Sequence, residues 1–345
     1  MRKFLVITFM AGALTASGQT AETNQKNNLG YFNHLDVSVN VGTSGIGFDL
    51  ATPIGNYVQL RAGYEFMPPF HYGVDFPIEV GGEPAVKYDA DGNRVESRFD
   101  RLAKNLKEIT GYDVDNHVEM IGKMTMNNFK LLVDVFPFKN NKHWHFTAGF
   151  YWGPSQFARA DNSIDAMTSL LAVGMYNHIY DRVENAWNTG ESILDISIGG
   201  QKYSIEMNPN QEQAILKNGR MGYQLGQYKE DMYSESGLLI HKKGDPYIME
   251  SGPDNQIHVY AKSNSFKPYL GFGYGGRLVK NRDDWKVSFD AGVMFWGAPD
   301  LYTHDGTNLT KDVENIKGKP GDYVDFIGGL KVYPSISVRF TKTLF

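Results

Sequence analysis

Apolar and polar residues alternate in eight separate segments of this sequence, and that alternation constrains the fold more than any other feature. In one segment Val58, Leu60 and Ala62 alternate with Gln59 and Arg61. Successive side chains of a β-strand point to opposite faces, so a period of two predicts a strand with one apolar and one polar face. The predicted strands are 35–41, 45–52, 57–66, 126–136, 143–152, 266–278, 285–295 and 331–345.

Short and long connections between these strands follow a regular order. The connections 42–44, 53–56, 137–142 and 279–284 are short, whereas 67–125, 153–265 and 296–330 are long. Long connections separated by short ones lie at one end of an antiparallel up-and-down barrel. We therefore predict an all-β, eight-stranded transmembrane barrel spanning 35–345. With a periplasmic N-terminus and an even strand number, its long insertions would be extracellular.

The N-terminus has the pattern of an export signal. Two basic residues at positions 2 and 3 precede an apolar run over 4–14, and Ala16 and Gly18 are small. This predicts a signal peptide over 1–18, cleaved after Gly18, and a periplasmic tail over 19–34. The apolar run is shorter than the roughly 20 residues that span a membrane as a helix, which disfavours an anchor.

Composition excludes several classes of function. The 345 residues include no cysteine, so an exported chain must be stabilised by a closed hydrogen-bonded sheet or a large core. The net charge of −5 and the lack of a basic block do not indicate nucleic-acid binding. Motifs of serine hydrolases, zinc proteases and phosphate-binding loops are missing. We predict no enzymatic activity, cofactor or metal; a Ser/His/Asp arrangement dispersed in the loops is the enzymatic alternative.

Aromatic residues gather at both ends of the apolar faces. They are Tyr57, Trp144 and Trp285 at the short-turn end, and Phe66, Trp152 and Phe295 at the long-loop end. Trp144 and Trp152 are about 26 Å apart along their strand, at roughly 3.3 Å per residue. That separation fits two girdles at the membrane interfaces and argues against a soluble, lipocalin-like barrel.

The signal peptide and the strands together resemble the small, eight-stranded outer-membrane β-barrel proteins of Gram-negative bacteria, the outer-membrane-protein-A/X-like group. The resemblance covers these parts and not the bodies of the loops. It implies contact with outer-membrane lipid and lipopolysaccharide and insertion by the barrel-assembly machinery. One departure concerns the last strand, where Ile336, Val338 and Phe340 are out of step with the terminal Phe345. Either the strand ends near Phe340 or a bulge shifts its phase.

The polar face predicts the contents of the lumen. An eight-stranded barrel has room only for its own side chains, and a buried charge is costly unless it is paired. We predict a structural ion-pair network formed by Asp36, Asp49, Arg61, Glu65, Lys130, Asp134, Arg277, Lys286, Asp290 and Arg339. Asp49 should face Arg61, and Arg339 is placed to meet Asp36. His143 and His145 are expected to form a polar pair at the periplasmic rim, with metal binding as the alternative.

The long insertions are expected to fold, because they hold about as much chain as the barrel. The predicted elements are a helix over 99–109 ended by Gly111, a hairpin at Asp91-Gly92, a helix N-capped by Ser163, a hairpin at Gly199-Gly200, a short helix over 211–216 and a strand over 257–261. The Asp89/Asp91/Asn93 triplet indicates a turn, with a calcium loop as the alternative. An apolar stripe (Met167, Leu170, Leu171, Ile179, Val183 and Trp187) predicts the core of a cap, or alternatively a partner-binding face.

These features together favour a scaffold whose folded extracellular loops serve a surface interaction or a structural role. An extracellular glycan or a host surface is the candidate partner. A small-solute pore and a loop-based outer-membrane enzyme are the alternatives.

Overall fold

The structure is a computed structural model that describes residues 32–344 except 70, 140, 199–200, 206, 235, 253, 255 and 317. The predicted signal peptide (1–18), most of the predicted tail (19–34) and the terminal Phe345 lie outside the described residues.

Strands and helices are numbered here in chain order. The strands are β1 (Asp36–Gly42), β2 (Gly45–Pro53), β3 (Val58–Phe66), β4 (His71–Pro77), β5 (Glu79–Val80), β6 (Glu83–Pro84), β7 (Lys87–Tyr88), β8 (Arg94–Val95), β9 (His117–Met124), β10 (Asn127–Val135), β11 (Trp144–Trp152), β12 (Gln156–Asn162), β13 (Leu194–Ile198), β14 (Gln201–Ile205), β15 (Met221–Tyr228), β16 (Met232–Tyr233), β17 (Leu239–His241), β18 (Pro246–Met249), β19 (His258–Lys262), β20 (Phe266–Val279), β21 (Arg282–Met294), β22 (Asp300–Thr303), β23 (Val313–Glu314) and β24 (Tyr333–Thr343). The helices are α1 (Arg98–Thr110), α2 (Met167–Thr189), α3 (Pro209–Asn218) and α4 (Gly318–Gly329).

Eight of these strands form a closed antiparallel barrel. Its order is β1-β2-β3-β10-β11-β20-β21-β24, and β24 closes on β1. Each of the eight predicted segments overlaps one barrel strand, so the predicted all-β barrel is confirmed. None of the helices in the described ranges is both long and apolar enough to span a membrane.

The last strand differs from both options that the sequence left open. β24 continues past Phe340 to Thr343 and pairs with β21 and β1 without a register shift. Lys342 stays on the outer face, where its ammonium lies 5.0 Å from the centre of the Trp285 ring and contacts Asp284. The long aliphatic part of the lysine side chain lets its charge lie at the rim of the barrel. The strand can therefore continue its inward–outward alternation through Lys342 without a bulge.

A second sheet continues the barrel wall beyond the long-loop end. Its order, β22-β19-β12-β9-β4, matches that of the barrel strands β21, β20, β11, β10 and β3, each of which adjoins one of its members in sequence. Backbone hydrogen bonds bridge the junction, among them Met67 N–H to the Met126 carbonyl (2.9 Å) and Asn264 N–H to the Trp296 carbonyl (2.8 Å). We call residues 67–126, 153–265 and 295–332 the cap.

The cap has a hydrophobic core of its own. A third sheet, β18-β15-β5-β6, packs with the helices beside the second sheet. The fully buried side chains of this core include Ile78, Met120, Leu170, Met221 and Ile257. Burial of a large aliphatic side chain contributes about 1.5–3 kcal/mol. The insertions therefore form a folded body, as the sequence predicted.

Most of the predicted cap elements are confirmed. Helix α1 begins at a capping box formed by Ser97 and Asp100 and ends at Gly111, whose backbone is left-handed. The hairpin at Asp91-Gly92 is β7–β8, the short helix is α3 and the strand is β19. The strands β13 and β14 on either side of Gly199-Gly200 pair as predicted, and these two glycines lie outside the described residues. The Asp89 carboxylate accepts hydrogen bonds from the backbone N–H groups of Asp91 and Asn93, so this triplet forms a turn.

Two expectations about α2 are wrong. Ser163 lies upstream of the helix, whose N-cap position is Ala166 and has no side-chain cap. The predicted apolar stripe is divided: Leu170 and Val183 are buried, whereas Met167, Leu171, Ile179 and Trp187 are exposed. The buried face instead includes Asn177, whose side-chain amide pairs with both backbone groups of Met221. A hydrogen-bonded amide can occupy a core position that apolar periodicity does not predict.

The barrel has an apolar outer face and a polar inner face. Phe146 and Phe289 are exposed on the outside, while Arg61 and Asp134 are buried in the lumen. Inward glycines make room for the charged groups. A Cβ atom at Gly63 would overlap the Asp49 carboxylate, and one at Gly273 would overlap the His145 ring and the Asp290 carboxylate.

We expect Gly273→Ala to destabilise the barrel by about 1–3 kcal/mol, because the added methyl group overpacks the lumen against His145 and Asp290. Urea unfolding of the protein in detergent measures the change. Gly122→Ala on β9 is the matched control, since its Cβ would only reach ordinary contact with a backbone carbonyl. Equal effects of the two substitutions would contradict the steric explanation.

Candidate functional site

Inward side chains from five strands meet near the middle of the lumen. Arg61 on β3 lies 2.9 Å from Asp134 on β10 and 3.7 Å from Asp49 on β2. Arg339 on β24 lies 3.1 Å from Asp290 on β21 and 3.5 Å from Asp134. Asp134 therefore joins two guanidinium groups, one from the neighbouring strand β3 and one from β24 across the lumen.

A second group of polar side chains lies nearer the long-loop end. The Lys130 ammonium is 2.9 Å from Asp49 and 3.8 Å from Glu65, and it donates a hydrogen bond to Asn40. Asn40 and Ser44 donate to Glu65 at 2.7 and 3.0 Å. Since Asp49 contacts both Lys130 and Arg61, the two groups form one connected network.

Two more polar residues, Thr147 and His145, complete the network, and the sequence prediction did not include them in it. Thr147 donates to Asp134 at 2.6 Å, and the His145 Nε2 lies 2.6 Å from an Asp290 oxygen. His145 is buried, so it is part of the network and not of a rim pair, whereas His143 is exposed and contacts the Gly275 carbonyl. Thr147 and His145 both lie at inward-facing positions in the alternation of β11. That alternation is the sequence pattern that could have identified them as members of the network.

The network contains four carboxylates (Asp49, Glu65, Asp134 and Asp290) and three cations (Arg61, Lys130 and Arg339), all of them buried. Removing a charged group from water costs several kcal/mol, and only close, well-formed pairs offset that cost. Hydrogen bonds from Asn40, Ser44, Thr147 and Ser288 supply further donors to the carboxylates. Removal of one of these charged groups would leave its partners buried with fewer contacts.

Three predicted members lie apart from this layer. Asp36 is buried near the short-turn end, where it accepts hydrogen bonds from Gln59 (2.8 Å) and Thr343 (2.5 Å). Lys286 is about half exposed and lies 4.0 Å from Asp36. Arg277 is exposed and pairs with Asp283, so its predicted place in the buried network is wrong.

The expected contact of Arg339 with Asp36 is also wrong. Along the β1–β24 ladder Arg339 lies opposite Asn40, whereas Asp36 lies opposite Thr343. The two side chains are therefore at different heights in the barrel. The expected approach of Asp49 to Arg61, by contrast, is present.

Aromatic and aliphatic side chains fill the lumen toward the long-loop end. Leu132, Tyr151, Tyr269 and Met294 are buried there and Tyr333 packs against them. Lys267 donates to Asn128 at 3.1 Å. At the opposite end a cavity of about 490 Å³ leads from the short turns to His145 and Arg339, where the network begins.

The six predicted girdle residues all lie on the outer surface. Tyr57, Trp144, Trp152, Trp285 and Phe295 are exposed, and Phe66 is half-buried. Trp144 packs edge-on against Tyr274 with ring centres 4.9 Å apart. Amphipathic rings at both rims of an apolar belt match the interfaces of a bilayer.

A closed eight-stranded barrel with an apolar exterior and a charged, filled interior defines the class of the protein as an outer-membrane β-barrel. Within the described ranges, no group of three or more His, Cys, Asp or Glu residues is placed to hold a metal ion.

The solved structures that are similar to this chain include CarO2 and CarO of Acinetobacter baumannii. Each is 13% identical and has a TM-score of 0.38. The alignment covers 93% of this chain and 100% of CarO2, and 92% of this chain and 99% of CarO. Likeness at this level supports no conclusion about function. No family model and no curated protein matches the sequence.

We expect Asp134→Ala to destabilise the barrel by about 3–5 kcal/mol, because it leaves Arg61 and Arg339 buried with fewer partners. Unfolding in urea, with the protein in detergent or lipid vesicles, gives the change. The control is Asp113→Ala in the cap, whose partner Lys107 is exposed, and it should change stability by less than about 1 kcal/mol. A loss at Asp134 as small as the control's would show that the network contributes little.

Proposed function

We propose that this protein is an outer-membrane scaffold that holds a folded cap at the cell surface for interaction with an extracellular partner. The observation that carries the proposal is the construction of the cap. Its second sheet continues five of the eight barrel strands, and its fully buried core residues all belong to the cap, with Tyr333 of β24 packing against them. A body fixed in this way to a membrane anchor is suited to presenting a defined surface.

The filled lumen supports a scaffold more than a channel. The connected network from Glu65 to Asp290 occupies the middle of the lumen. The cluster around Tyr151 and Tyr269 occupies the lumen nearer the long-loop end. Eight strands leave little space beyond such side chains. We propose that this layer closes the lumen to solutes.

The cavity at the short-turn end is the observation that favours the alternative, a small-solute pore. It already reaches His145 and Arg339 from the short-turn end of the barrel. A pore would require the network above it to open. The enzymatic alternative gains no support from the residues described in the cap.

The orientation follows from the same barrel. Long connections of outer-membrane barrels face outward and short turns face the periplasm. We propose that the cap is extracellular, that the signal peptide is cleaved after Gly18, and that the barrel-assembly machinery inserts the chain among lipid and lipopolysaccharide. A glycan or a protein of another cell surface is the partner proposed for the cap.

Purified protein in planar bilayers should give no stable unitary currents, because the paired charges and the tyrosine cluster obstruct the lumen. Conductance recordings over a range of voltages test this. Regular, long-lived current steps from the folded protein, absent from a denatured sample, would favour the pore instead.

The absence of cysteine from the sequence allows a clean test of orientation. Lys243→Cys in the cap should react with a membrane-impermeant maleimide on intact cells, because the residue is exposed on the proposed outer side. Asn56→Cys in the β2–β3 turn is the matched exposed site, and it should react only after the outer membrane is permeabilised. The reverse pattern would refute the proposed surface display.

A further inference from the structure

One face of the second sheet carries a continuous row of aromatic and basic side chains. Residues directly opposite each other in antiparallel strands point to the same face. Across the five strands the opposed residues are Tyr302, Tyr260, Arg159, Lys123 and His71. Four strand spacings of roughly 4.8 Å make this row about 19 Å wide. We call these five residues the basic row.

The basic row faces away from the core of the cap. Adjacent residues of a strand point to opposite faces. The sequence neighbours of the row include Ala261 and Leu301, which are buried in the cap core, and Ala158 and Met124, which pack against it. The members of the row are half-buried or exposed. The row therefore lies on the outer surface of the cap.

This outer surface is continuous with the lipid-facing surface of the barrel. Along the chain from β19 to β20, exposure alternates without interruption from Lys262 through Asn264 to Phe266. Lys262 and Phe266 therefore point to the same side, and Phe266 is exposed on the outside of the barrel. From β9 to β10, Lys123, Thr125 and Phe129 likewise share one side, with Met126 buried on the other. The basic row is thus aligned above the apolar belt.

Two cations on this surface lie over tyrosine rings. The Lys262 ammonium is 4.7 Å from the centre of the Tyr302 ring, and the Arg159 guanidinium is 5.5 Å from the centre of the Tyr260 ring. A cation within about 6 Å of a ring centre is attracted to the face of the ring. These contacts hold the two positive charges close to the surface of the sheet.

Two lysines of this surface have no carboxylate partner among the described residues. They are Lys123 and Lys262. Asp300 lies opposite Lys262 in the sheet, but its carboxylate is 2.7 Å from Lys311. Both ammonium groups can therefore pair with an external anion.

Carboxylates on the same face lie farther from the barrel. Asp161 is two residues beyond Arg159 on β12, and it contacts both Arg159 and His258. Asp254 is 2.9 Å from His258. The positions outside the described residues that interrupt the chain here, 70, 253 and 255, are uncharged in the sequence. The part of this face nearest the membrane is therefore basic and attracts anions.

The height of the lysines selects the kind of anion. Lys262 is four residues beyond Phe266 and Lys123 is six residues beyond Phe129, or about 13 and 20 Å at roughly 3.3 Å per residue. With a strand tilt of about 40° these lengths give heights of about 10 and 15 Å above the rim. The polar headgroup layer of a bilayer is only about 5–8 Å thick on each side. An anion at the height of the lysines must be carried on sugars that project beyond that layer.

We propose that the basic row and Lys262 bind the phosphorylated sugars of lipopolysaccharide in the outer leaflet around the barrel. Lys123 and Lys262 pair with the phosphate groups, and Arg159 adds a third positive charge to the same face. Acyl chains of the same lipid lie against the apolar belt below. The site is thus formed jointly by the barrel and the cap.

This inference goes beyond the proposed surface interaction, but it rests on the proposed extracellular position of the cap, because lipopolysaccharide lies in the outer leaflet. Binding by the purified protein does not depend on that position. Failed surface labelling with intact binding would therefore refute the surface display alone. Failed binding with intact surface labelling would refute the lipopolysaccharide site alone.

The test uses refolded full-length protein in an uncharged detergent and fluorescently labelled, deacylated lipopolysaccharide, a soluble oligosaccharide that keeps its phosphates. Fluorescence anisotropy should show saturable binding that weakens as sodium chloride is raised. The same oligosaccharide after enzymatic removal of its phosphates should bind at least about tenfold more weakly, because the lysines then lose their partners.

A double variant assigns the site. Lys123→Gln with Lys262→Gln should weaken probe binding at least about tenfold, since each lysine near an anionic surface contributes about fivefold. Lys242→Gln with Lys243→Gln removes the same charge from exposed positions between β17 and β18, and it should leave binding unchanged. Urea unfolding of both double variants should match that of the wild type, which separates binding from folding.

Four results would overturn the proposal. They are absence of saturable binding, equal binding of the phosphorylated and dephosphorylated probes, and equal losses in the two double variants. The fourth is displacement of the probe by inorganic phosphate or phosphatidylglycerol micelles at the phosphate concentration at which the unlabelled oligosaccharide displaces it. That result would assign the surface to any anion or to a phospholipid headgroup.

Discussion

The placement of the Asp134 carboxylate between the guanidinium groups of Arg61 and Arg339 constrains the whole barrel. A shift of any strand by one residue would turn its inward charges toward lipid and its apolar side chains into the lumen. The pairs can form only in the observed register, and that register needs glycine at positions such as Gly63, where a side chain would overlap Asp49. Charge pairing, strand register and small residues therefore depend on one another.

The cap is joined to this barrel by several adjacent strands. Five barrel strands pass into the second sheet in unchanged order, and hydrogen bonds such as Met67 to Met126 connect the two levels. The third sheet packs with the helices beside this extended wall and shares its buried core. The barrel strands therefore support the folded body of the cap directly.

The period of two was sufficient to predict the eight barrel strands and the common face of Asp49, Arg61 and Asp134. The alternation gives the face on which a side chain lies but not its height along the barrel axis. It therefore predicts a lumenal position for Arg277, which instead lies beside a short turn. Helical periodicity predicts α1, but it assigns α2 one apolar face where the structure has a buried face that includes Asn177. The pairing of β15 with β5, β18 and β23 joins strands distant in sequence, which no local pattern could predict.

A double-mutant cycle on Arg61 and Asp134 tests most directly whether paired charges hold the barrel in register. Urea unfolding would be measured for the wild type, Arg61→Ala, Asp134→Ala and the double variant in the same lipid vesicles. The interaction at 2.9 Å predicts a coupling free energy of about 1.5 kcal/mol or more. Single effects that add to within about 0.5 kcal/mol would contradict it.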